Sequence, residues 1–201
     1  MTPLFAIVLA AGEGRRMGGA KALLELEGAT LVEHHVTRLL EIGCTSIAVV
    51  VRPETADVVQ RLLCAQHEAR VEAVTTSSPA ESLAAGLRVL DAAGSTPHDV
   101  IIITPVDMLP AQAGTHRALL ARLSGTALAV TPLYGKRGGH PVIARRALLT
   151  PYETVQPGTL PSLREVLAEA VDSRRRVEVD DPRVLGDLDT PSDVRALSRT
   201  C

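Results

Sequence analysis

Aromatic residues are almost missing from this sequence: Phe5, Tyr134 and Tyr152 are its aromatic side chains, and it has no tryptophan. Proteins that bind single-stranded nucleic acid stack bases on aromatic side chains, and three in 201 residues cannot form such a platform. An excess of positive charge is missing as well, because 21 Lys and Arg residues stand against 23 Asp and Glu. We therefore expect no nucleic-acid partner.

Cysteine and long hydrophobic runs are also scarce. Cys44, Cys64 and Cys201 have neither the spacing of a zinc site nor that of a disulfide framework, which favours a reduced, cytoplasmic protein. The run Leu4–Ala11 has eight residues, far fewer than the roughly 20 that span a bilayer. No Lys or Arg precedes this run, as would be expected in a signal peptide. We interpret it as a buried strand and expect no membrane partner.

Short apolar runs alternate with stretches of helical pattern along the chain. The runs are Leu4–Ala10, Thr45–Val51, Val100–Ile103 and Ala127–Thr131. Each run is continuously apolar, which is typical of parallel strands covered on both faces. Helices are predicted after the capping box of Thr30 and Glu33 up to Gly43, over Thr55–Glu68, Glu81–Ala92 and Gln112–Leu123, after the capping box of Ser162 and Glu165, and at Thr190-Pro191.

This order of elements predicts a single α/β domain over residues 1–201. We expect a Rossmann-like three-layer sandwich, with a mostly parallel sheet and helices on both faces. The Gly- and Pro-rich stretch 134–161 predicts a small insertion or lid over one end of the sheet. Ligands of such sheets lie beyond the carboxyl ends of the strands, so the residues that follow each strand are the candidate site.

A loop rich in glycine and positive charge follows the first run. Residues 9–21 read LAAGEGRRMGGAK, in which glycine backbone N–H groups can converge on an anion and Arg15, Arg16 and Lys21 add charge. The loop is not a P-loop, because no Gly-Lys-Ser/Thr sequence closes it. It is not a nicotinamide-binding fingerprint either, because Met17 stands where the third glycine would be. It predicts a phosphate-binding loop of another kind.

Four motifs, in this order, resemble those of the MobA-like nucleotidyltransferases. They are Leu9–Lys21, Pro105-Val106-Asp107-Met108, Arg137–Val142 and Asp187–Pro191. The details LAAG, RGGHPV and DLDTP are most similar to the molybdenum cofactor cytidylyltransferases. The resemblance implies an enzyme that transfers CMP from CTP to the phosphate of a molybdopterin-type cofactor and releases pyrophosphate. It also implies Mg²⁺ as cofactor and a molybdoenzyme as a candidate recipient of the product.

The resemblance further implies roles for individual residues. Catalytic roles fall to Arg16, Lys21 and Asp107, and Mg²⁺ would be held by Asp107 and Asp189, with Asp187 left open. Nucleotide contacts fall to Leu9, Ala10, Ala11, Gly12, Gly14, Arg15, Gly18, Lys21, Ser78 and Ser82. The acceptor would contact Arg137, Gly138, Gly139 and His140, with residues 134–161 above it. No general base is expected, because a phosphate monoester with a second pKa near ~6 is already largely ionised at neutral pH.

Alternatives remain at two levels. Capping of a turn or helix is the alternative role of Asp107, Asp189 and Ser78. A guanylyltransferase acting on the same cofactor is the alternative activity, although that branch typically reads LAGG where this chain has Ala11. A nucleotidyltransferase for a sugar or polyol phosphate, and a nucleotide- or cofactor-binding chaperone without catalysis, are also open. The adjacent His34 and His35 point about 100° apart on a helix and do not predict a metal site.

Overall fold

The computed structural model describes residues 3–12, 19–153, 159–186 and 188. Its strands are β1 (Leu4–Ala10), β2 (Glu25–Leu26), β3 (Ala29–Thr30), β4 (Ser46–Val51), β5 (Ala69–Ala73), β6 (Val100–Pro105), β7 (Ala129–Tyr134), β8 (Arg137–Gly138), β9 (Val142–Arg145) and β10 (Arg174–Glu178). One sheet has the order β10-β7-β9-β6-β1-β4-β5, with β8 paired to β7, and β2 and β3 form a separate antiparallel pair.

The helices cover both faces of the large sheet. They are α1 (Leu31–Glu41), α2 (Pro53–Leu62), α3 (Pro79–Ala92), α4 (Ala113–Arg122) and α5 (Leu163–Glu169), with 3-10 turns at Lys21–Leu23, Arg146–Tyr152 and Pro182–Leu185. Side chains of β1 alternate between two cores, because Ala6 and Val8 pack with α1, α2 and α4, whereas Phe5 and Ile7 pack with α3 and α5. The predicted three-layer α/β sandwich with a mostly parallel sheet is confirmed.

The structure contains the capping hydrogen bonds from which two helix starts were predicted. Both capping boxes form, at Thr30 with Glu33 before α1 and at Ser162 with Glu165 before α5. The helices α2 and α3 begin earlier than predicted, because a proline fits the first turn of a helix, where its missing N–H costs no bond. The helix predicted at Thr190-Pro191 lies outside the described residues.

Four strands of the large sheet were not predicted: β5, β8, β9 and β10. The edge strands β5 and β10 contain the charged sequences ARVEA and RRRVE in place of an apolar run. The strand β9 has four residues and pairs antiparallel with both β6 and β7. Residues 142–145, within the stretch 134–161, are therefore part of the central sheet, and the insertion or lid over one end of the sheet stays a prediction for the rest of that stretch.

The parallel strands at the centre of the sheet determine where the site lies. Pairing of β1 with β4 and with β6 brings the last residues of these strands, Ala10, Val51 and Pro105, to the same end of the sheet. On one face, α3 approaches β1 so closely that a Cβ at Gly86 would lie 2.7 Å from Cγ2 of Ile7. The start of α3 lies beside the end of β1, because Pro79 and Ala80 line the same cavity as Leu9. In the described ranges, no helix is long and apolar enough to cross a membrane.

Candidate active site

The glycine-rich loop and the Asp107 turn meet at the carboxyl ends of β1 and β6. Leu9 pairs with Pro105 in the parallel register, and the Val106 amide donates to the Leu9 carbonyl at 2.9 Å. Beyond this pairing, Nζ of Lys21 lies 3.0 Å from Oδ2 of Asp107. The fold thus brings together the two residues expected to hold the triphosphate and the metal, although 86 positions separate them in the sequence.

Asp107 has the exposure and the donor chemistry of a Mg²⁺ ligand. Its side chain is 37% exposed, and the hydrogen bond that it makes goes to Lys21, with no described backbone amide bonded to its carboxylate. The capping alternative is therefore not what the described structure contains. Mg²⁺ is typically held by one or two carboxylates together with waters and substrate phosphates, so this residue fits the ion. No group of three or more potential metal ligands converges in the described part of the chain.

Residues 181–186 and Leu188 hold the Asp107 turn from the far end of the described chain. The Leu188 amide donates to the Asp107 carbonyl at 2.8 Å, and the Leu109 amide donates to the Gly186 carbonyl at 3.0 Å. The segment is itself anchored by the buried Asp181, which accepts hydrogen bonds from the Gln112 amide and the Thr115 hydroxyl. The predicted ligands Asp187 and Asp189 lie outside the described residues.

Part of the predicted acceptor loop packs against this same segment. The His140 amide donates to the Val184 carbonyl at 2.9 Å. A Cβ at Gly139 would collide with that carbonyl, so the close approach requires glycine. Arg137 and Gly138 form the exposed strand β8, which pairs with β7 and lies close to the turn Pro182–Leu185.

His140 presents a neutral ring to the site. Burial lowers the pKa of its imidazole, and the negative charge of Asp107 opposes that shift. The buried Nδ1 of His140 has no hydrogen-bond partner among the residues that the structure describes. A buried ring nitrogen without a partner suits contact with a ligand.

A cavity lies beside the end of β1. Its volume is about 260 Å³, and it is lined by Leu9, Ser78, Pro79, Ala80, Leu83, Leu160, Ser162, Leu163 and Glu165. Two of the predicted nucleotide contacts, Leu9 and Ser78, therefore share one cavity. Ser78 also caps α3 by accepting a hydrogen bond from the Glu81 amide, so the capping role and the cavity position coexist. The sequence did not predict that residues from 160–165 would form part of the wall of this cavity.

The remaining nucleotide-binding predictions divide into three groups. The hydroxyl of Ser82 is engaged with Thr76 at 2.8 Å and with the Ser78 carbonyl, so this buried residue shapes the loop before α3. Ala10 and Ala11 are buried at the end of β1, followed by the exposed Gly12. Other predictions fall outside the described residues: Gly14, Arg15, Arg16 and Gly18.

His35 is a residue of the site region to which the sequence analysis assigned no role. It projects from α1 to the Asp107 turn, where its Nε2 lies 2.9 Å from the Met108 carbonyl oxygen. Burial lowers the pKa of this imidazole to about 4, so the ring is neutral at physiological pH. The neighbouring His34 bonds the Leu26 carbonyl instead, so the pair does not converge. In the sequence, this role could have been suspected because His35 is a polar residue among the apolar, buried positions of α1.

Known proteins match this chain in sequence. Residues 6–176 match the family model of the MobA-like NTP transferase domain. A probable molybdenum cofactor guanylyltransferase from Opitutus terrae is 36% identical over 101 residues, which cover 50% of this chain and 46% of that protein. The bifunctional protein GlmU of Anaeromyxobacter sp. (strain K) is 46% identical over 70 residues, which cover 34% of this chain and 14% of that protein. The matched part is thus less than half of either relative.

Solved structures match the whole fold. A nucleotidyl transferase from Methanothermobacter thermautotroptrophicus has a TM-score of 0.77 at 24% identity, with 99% of both chains covered. Rv0371c from Mycobacterium tuberculosis H37Rv has a TM-score of 0.80 at 21% identity, with 100% of both covered. A 4-diphosphocytidyl-2C-methyl-D-erythritol synthase has a TM-score of 0.75 at 16% identity, covering 98% and 97%. These structures show the fold, and the family match over residues 6–176 shows that the chain belongs to the MobA-like NTP transferase domain family, which confirms the predicted nucleotidyltransferase domain.

Proposed function

We propose that this protein transfers CMP from CTP to the terminal phosphate of a molybdopterin-type cofactor in a Mg²⁺-dependent reaction that releases pyrophosphate. The observation that carries the proposal is the contact between Lys21 and Asp107 at the carboxyl ends of β1 and β6. A cation for phosphates next to a partly exposed carboxylate is what a metal–triphosphate substrate requires. The name of the Opitutus relative supports a molybdenum cofactor as acceptor.

The reaction needs alignment and charge neutralisation more than proton transfer. An oxygen of the acceptor phosphate attacks the α-phosphorus of the nucleotide, and the bond from that phosphorus to the bridging oxygen of the β-phosphate breaks. Lys21, once it releases Asp107, neutralises negative charge on the α-phosphate and the departing pyrophosphate. Mg²⁺, when bound, supplies further positive charge to the phosphates, and Asp107 would hold it. Arg16 and Asp189 keep their proposed roles as phosphate contact and second metal ligand.

The cavity beside β1 is the proposed site of the nucleobase. Its walls are largely aliphatic, from Leu9, Pro79, Ala80 and Leu83 on one side, and it has polar groups at Ser78 and Glu165. Small-molecule sites typically combine such apolar walls with a few polar groups that fix orientation. In a chain without tryptophan, aliphatic side chains and backbone are the surfaces available to a base.

The acceptor is proposed to bind at Gly139 and His140, with Arg137 and Gly138 reaching it from the hairpin and residues of the 134–161 stretch covering it. His140 supports this position through its buried Nδ1, which lacks a hydrogen-bond partner in the described part of the chain, and through the influence of the Asp107 carboxylate on its pKa. A molybdoenzyme is the proposed recipient of the product. The cytoplasm is the proposed compartment, in keeping with the free thiols of Cys44 and Cys64.

GTP is the second candidate substrate. It is favoured by the identity of 36% with a probable molybdenum cofactor guanylyltransferase. CTP is preferred here because Ala11 gives the sequence LAAG at the end of β1, where the guanylyl branch typically reads LAGG. The two candidates share every catalytic step and differ in the contacts of the base.

The experiment that tests the proposal compares pyrophosphate release from CTP, GTP, UTP and ATP, with Mg²⁺ and molybdopterin as acceptor. We expect the fastest release with CTP, and release that depends on the acceptor. Faster release with GTP would replace the cytidylyl assignment with the guanylyl one. No release from any of the four, together with nucleotide affinity that persists in EDTA, would indicate a binding protein without catalysis.

A further inference from the structure

We propose that His35 is a positioning residue for the reaction, which holds the Asp107-Met108 turn so that the Asp107 carboxylate faces the metal–triphosphate. The inference rests on the proposed function, because the importance of the Asp107 orientation depends on it. His35 itself lies beneath the turn, on α1, and is 2% exposed. It therefore touches neither the nucleotide nor the acceptor and acts through Asp107.

The hydrogen bond between His35 and Met108 has one possible direction. A carbonyl oxygen accepts but does not donate, so Nε2 of His35 must carry the proton and donate it to the Met108 oxygen at 2.9 Å. The ring is also neutral, because its burial disfavours the imidazolium. The structure thus fixes the tautomer of His35 with its proton on Nε2.

His35 adds one hydrogen bond to those that hold the Asp107-Met108 turn in place. The Val106 amide donates to the Leu9 carbonyl of β1, the Asp107 carbonyl accepts from the Leu188 amide, and the Leu109 amide donates to the Gly186 carbonyl. The Met108 carbonyl is held from below by His35. Because Met108 follows Asp107 directly, loss of this bond frees the peptide group next to the metal-binding residue. Displacements of about 1 Å in a catalytic group are enough to lower rates by orders of magnitude.

The chain offers a matched control in His116. This histidine, on α4, is 3% exposed, and burial lowers the pKa of its ring as well. Its Nδ1 bonds the Gln112 carbonyl of its own helix at 3.1 Å, with no bond to the Asp107 turn. Replacement of either histidine by leucine removes a buried imidazole and one hydrogen bond. The two variants differ in whether that bond holds the turn.

The experiment compares His35→Leu, His35→Gln and His116→Leu. The affinity for Mn²⁺ is measured by electron paramagnetic resonance in the presence of saturating CTP without acceptor, and kcat and KM for CTP are measured with acceptor. We expect His35→Leu to weaken Mn²⁺ binding about tenfold and to lower kcat about tenfold, with KM for CTP changed less than about twofold. In His35→Gln the amide nitrogen can take the place of Nε2, so both values should stay within about twofold of the native ones. His116→Leu should lower thermal stability without either change.

Each outcome decides the role of His35. Equal Mn²⁺ affinities in His35→Leu and His116→Leu would overturn it, as would a glutamine variant as weak as the leucine variant. Should His35→Leu not fold, His35→Asn takes its place, because its shorter amide does not reach the Met108 carbonyl and should behave as leucine does. If the native protein releases no pyrophosphate from any nucleotide, the proposed function fails, whereas the Mn²⁺ comparison still tests whether His35 positions Asp107.

Discussion

A contact between a cation and an aspartate lies at each end of the central strands, and the two contacts differ in geometry. At the carboxyl ends of the parallel strands, one pair of atoms, Nζ of Lys21 and Oδ2 of Asp107, forms the contact at 3.0 Å. At the opposite end of the strands, Arg145 pairs with Val100, the first residue of β6. The next residue, Arg146, donates two hydrogen bonds to the Asp91 carboxylate, at 3.0 and 2.8 Å. Arg146 also lies 2.9 Å from Glu153.

Under the proposed function, this difference suits a Lys21 contact that the substrate replaces and an Arg146 contact that stays in place. A lysine ammonium is a compact charge on a flexible stem, whereas a guanidinium is a planar fork that fits a carboxylate at two points. Arg146 has a side chain only 5% exposed, and its hydrogen bond lowers the pKa of the Asp91 carboxyl. Lys21 is one of two lysines among 21 cationic residues. Under the proposed function, the substrate phosphates take the place of Asp107 as its partner.

The first prediction addresses Asp107. Asp107→Asn should lower pyrophosphate release by about 10³-fold, because it removes the charged oxygen proposed to hold the metal. The melting temperature should change by no more than about 2 °C, since a partly exposed ion pair adds little stability. Steady-state kinetics and a thermal melt measure the two effects, with the exposed Asp57→Asn as charge control. Undiminished activity in Asp107→Asn would contradict the metal role.

Lys21 should show the second-largest effect. Lys21→Met should lower kcat by about 100-fold, because positive charge near the transferred phosphate is lost. The same change should tighten the binding of Mn²⁺ alone by about threefold, because Asp107 no longer faces a competing cation. Titration with Mn²⁺ in the absence of nucleotide measures this, with Arg61→Met as a control of equal net charge. A decrease in Mn²⁺ affinity would mean that the Lys21 contact is not exchanged.

At the opposite end of the strands, the expected effect is on stability rather than on rate. Arg146→Met should destabilise the fold by about 2 kcal/mol, less than for a fully buried pair because Asp91 is 41% exposed and remains hydrated. The melting temperature should fall by about 6 °C, with kcat unchanged. Arg38→Met, which removes the exposed pair with Glu41 at 2.6 Å, should shift it by about 1 °C or less. A loss of kcat in Arg146→Met would contradict the distinction between a contact that serves the reaction and one that serves stability.

The smallest effect concerns pH. The pKa of His35 is lowered from 6.5 to about 4 in the folded protein, so the unfolded chain binds the extra proton first. The resulting stability is complete above pH 6.5 and is lost as the pH falls from about 6.5 towards 4. Between pH 7.5 and 5.5, His35 should account for a loss of about 1 kcal/mol.

Urea unfolding of the native protein and His35→Gln at both pH values measures this loss. The groups that face His35 electrostatically are His116, Asp107 and His34, and they are present in both proteins. His140 is common to both as well, so its titration cancels in the comparison. A native protein that loses no more stability than the glutamine variant would show that His35 is not the group responsible.

Local sequence patterns predicted the interior of the fold better than its borders. The strands β1, β4, β6 and β7 have both faces covered, which produces the continuous apolar runs from which they were predicted. The edge strands β5 and β10 have exposed charged side chains and lack that signal. The strand β9 is too short to form a recognisable run between the glycines and prolines around it.

The site was predictable where its residues belong to ordered motifs, and not where contacts alone define it. Lys21 and Asp107 were identified from their motifs, and the structure brings them together. The contact of His35 with Met108 spans 73 positions, and no local pattern records such a contact. The collision that excludes a side chain at Gly139 depends likewise on the distant Val184 carbonyl.

The position of β1 has a consequence for how the chain is made. This strand pairs on one side with β4 and on the other with β6, whose residues lie about a hundred positions later in the chain. At a synthesis rate of 5–20 residues per second, about 5–20 s pass between the appearance of β1 and that of its second neighbour. During that interval a highly apolar strand has an open hydrogen-bonding edge, the kind of edge on which chains associate wrongly. The nascent protein should therefore depend most on chaperone protection before β6 has emerged from the ribosome.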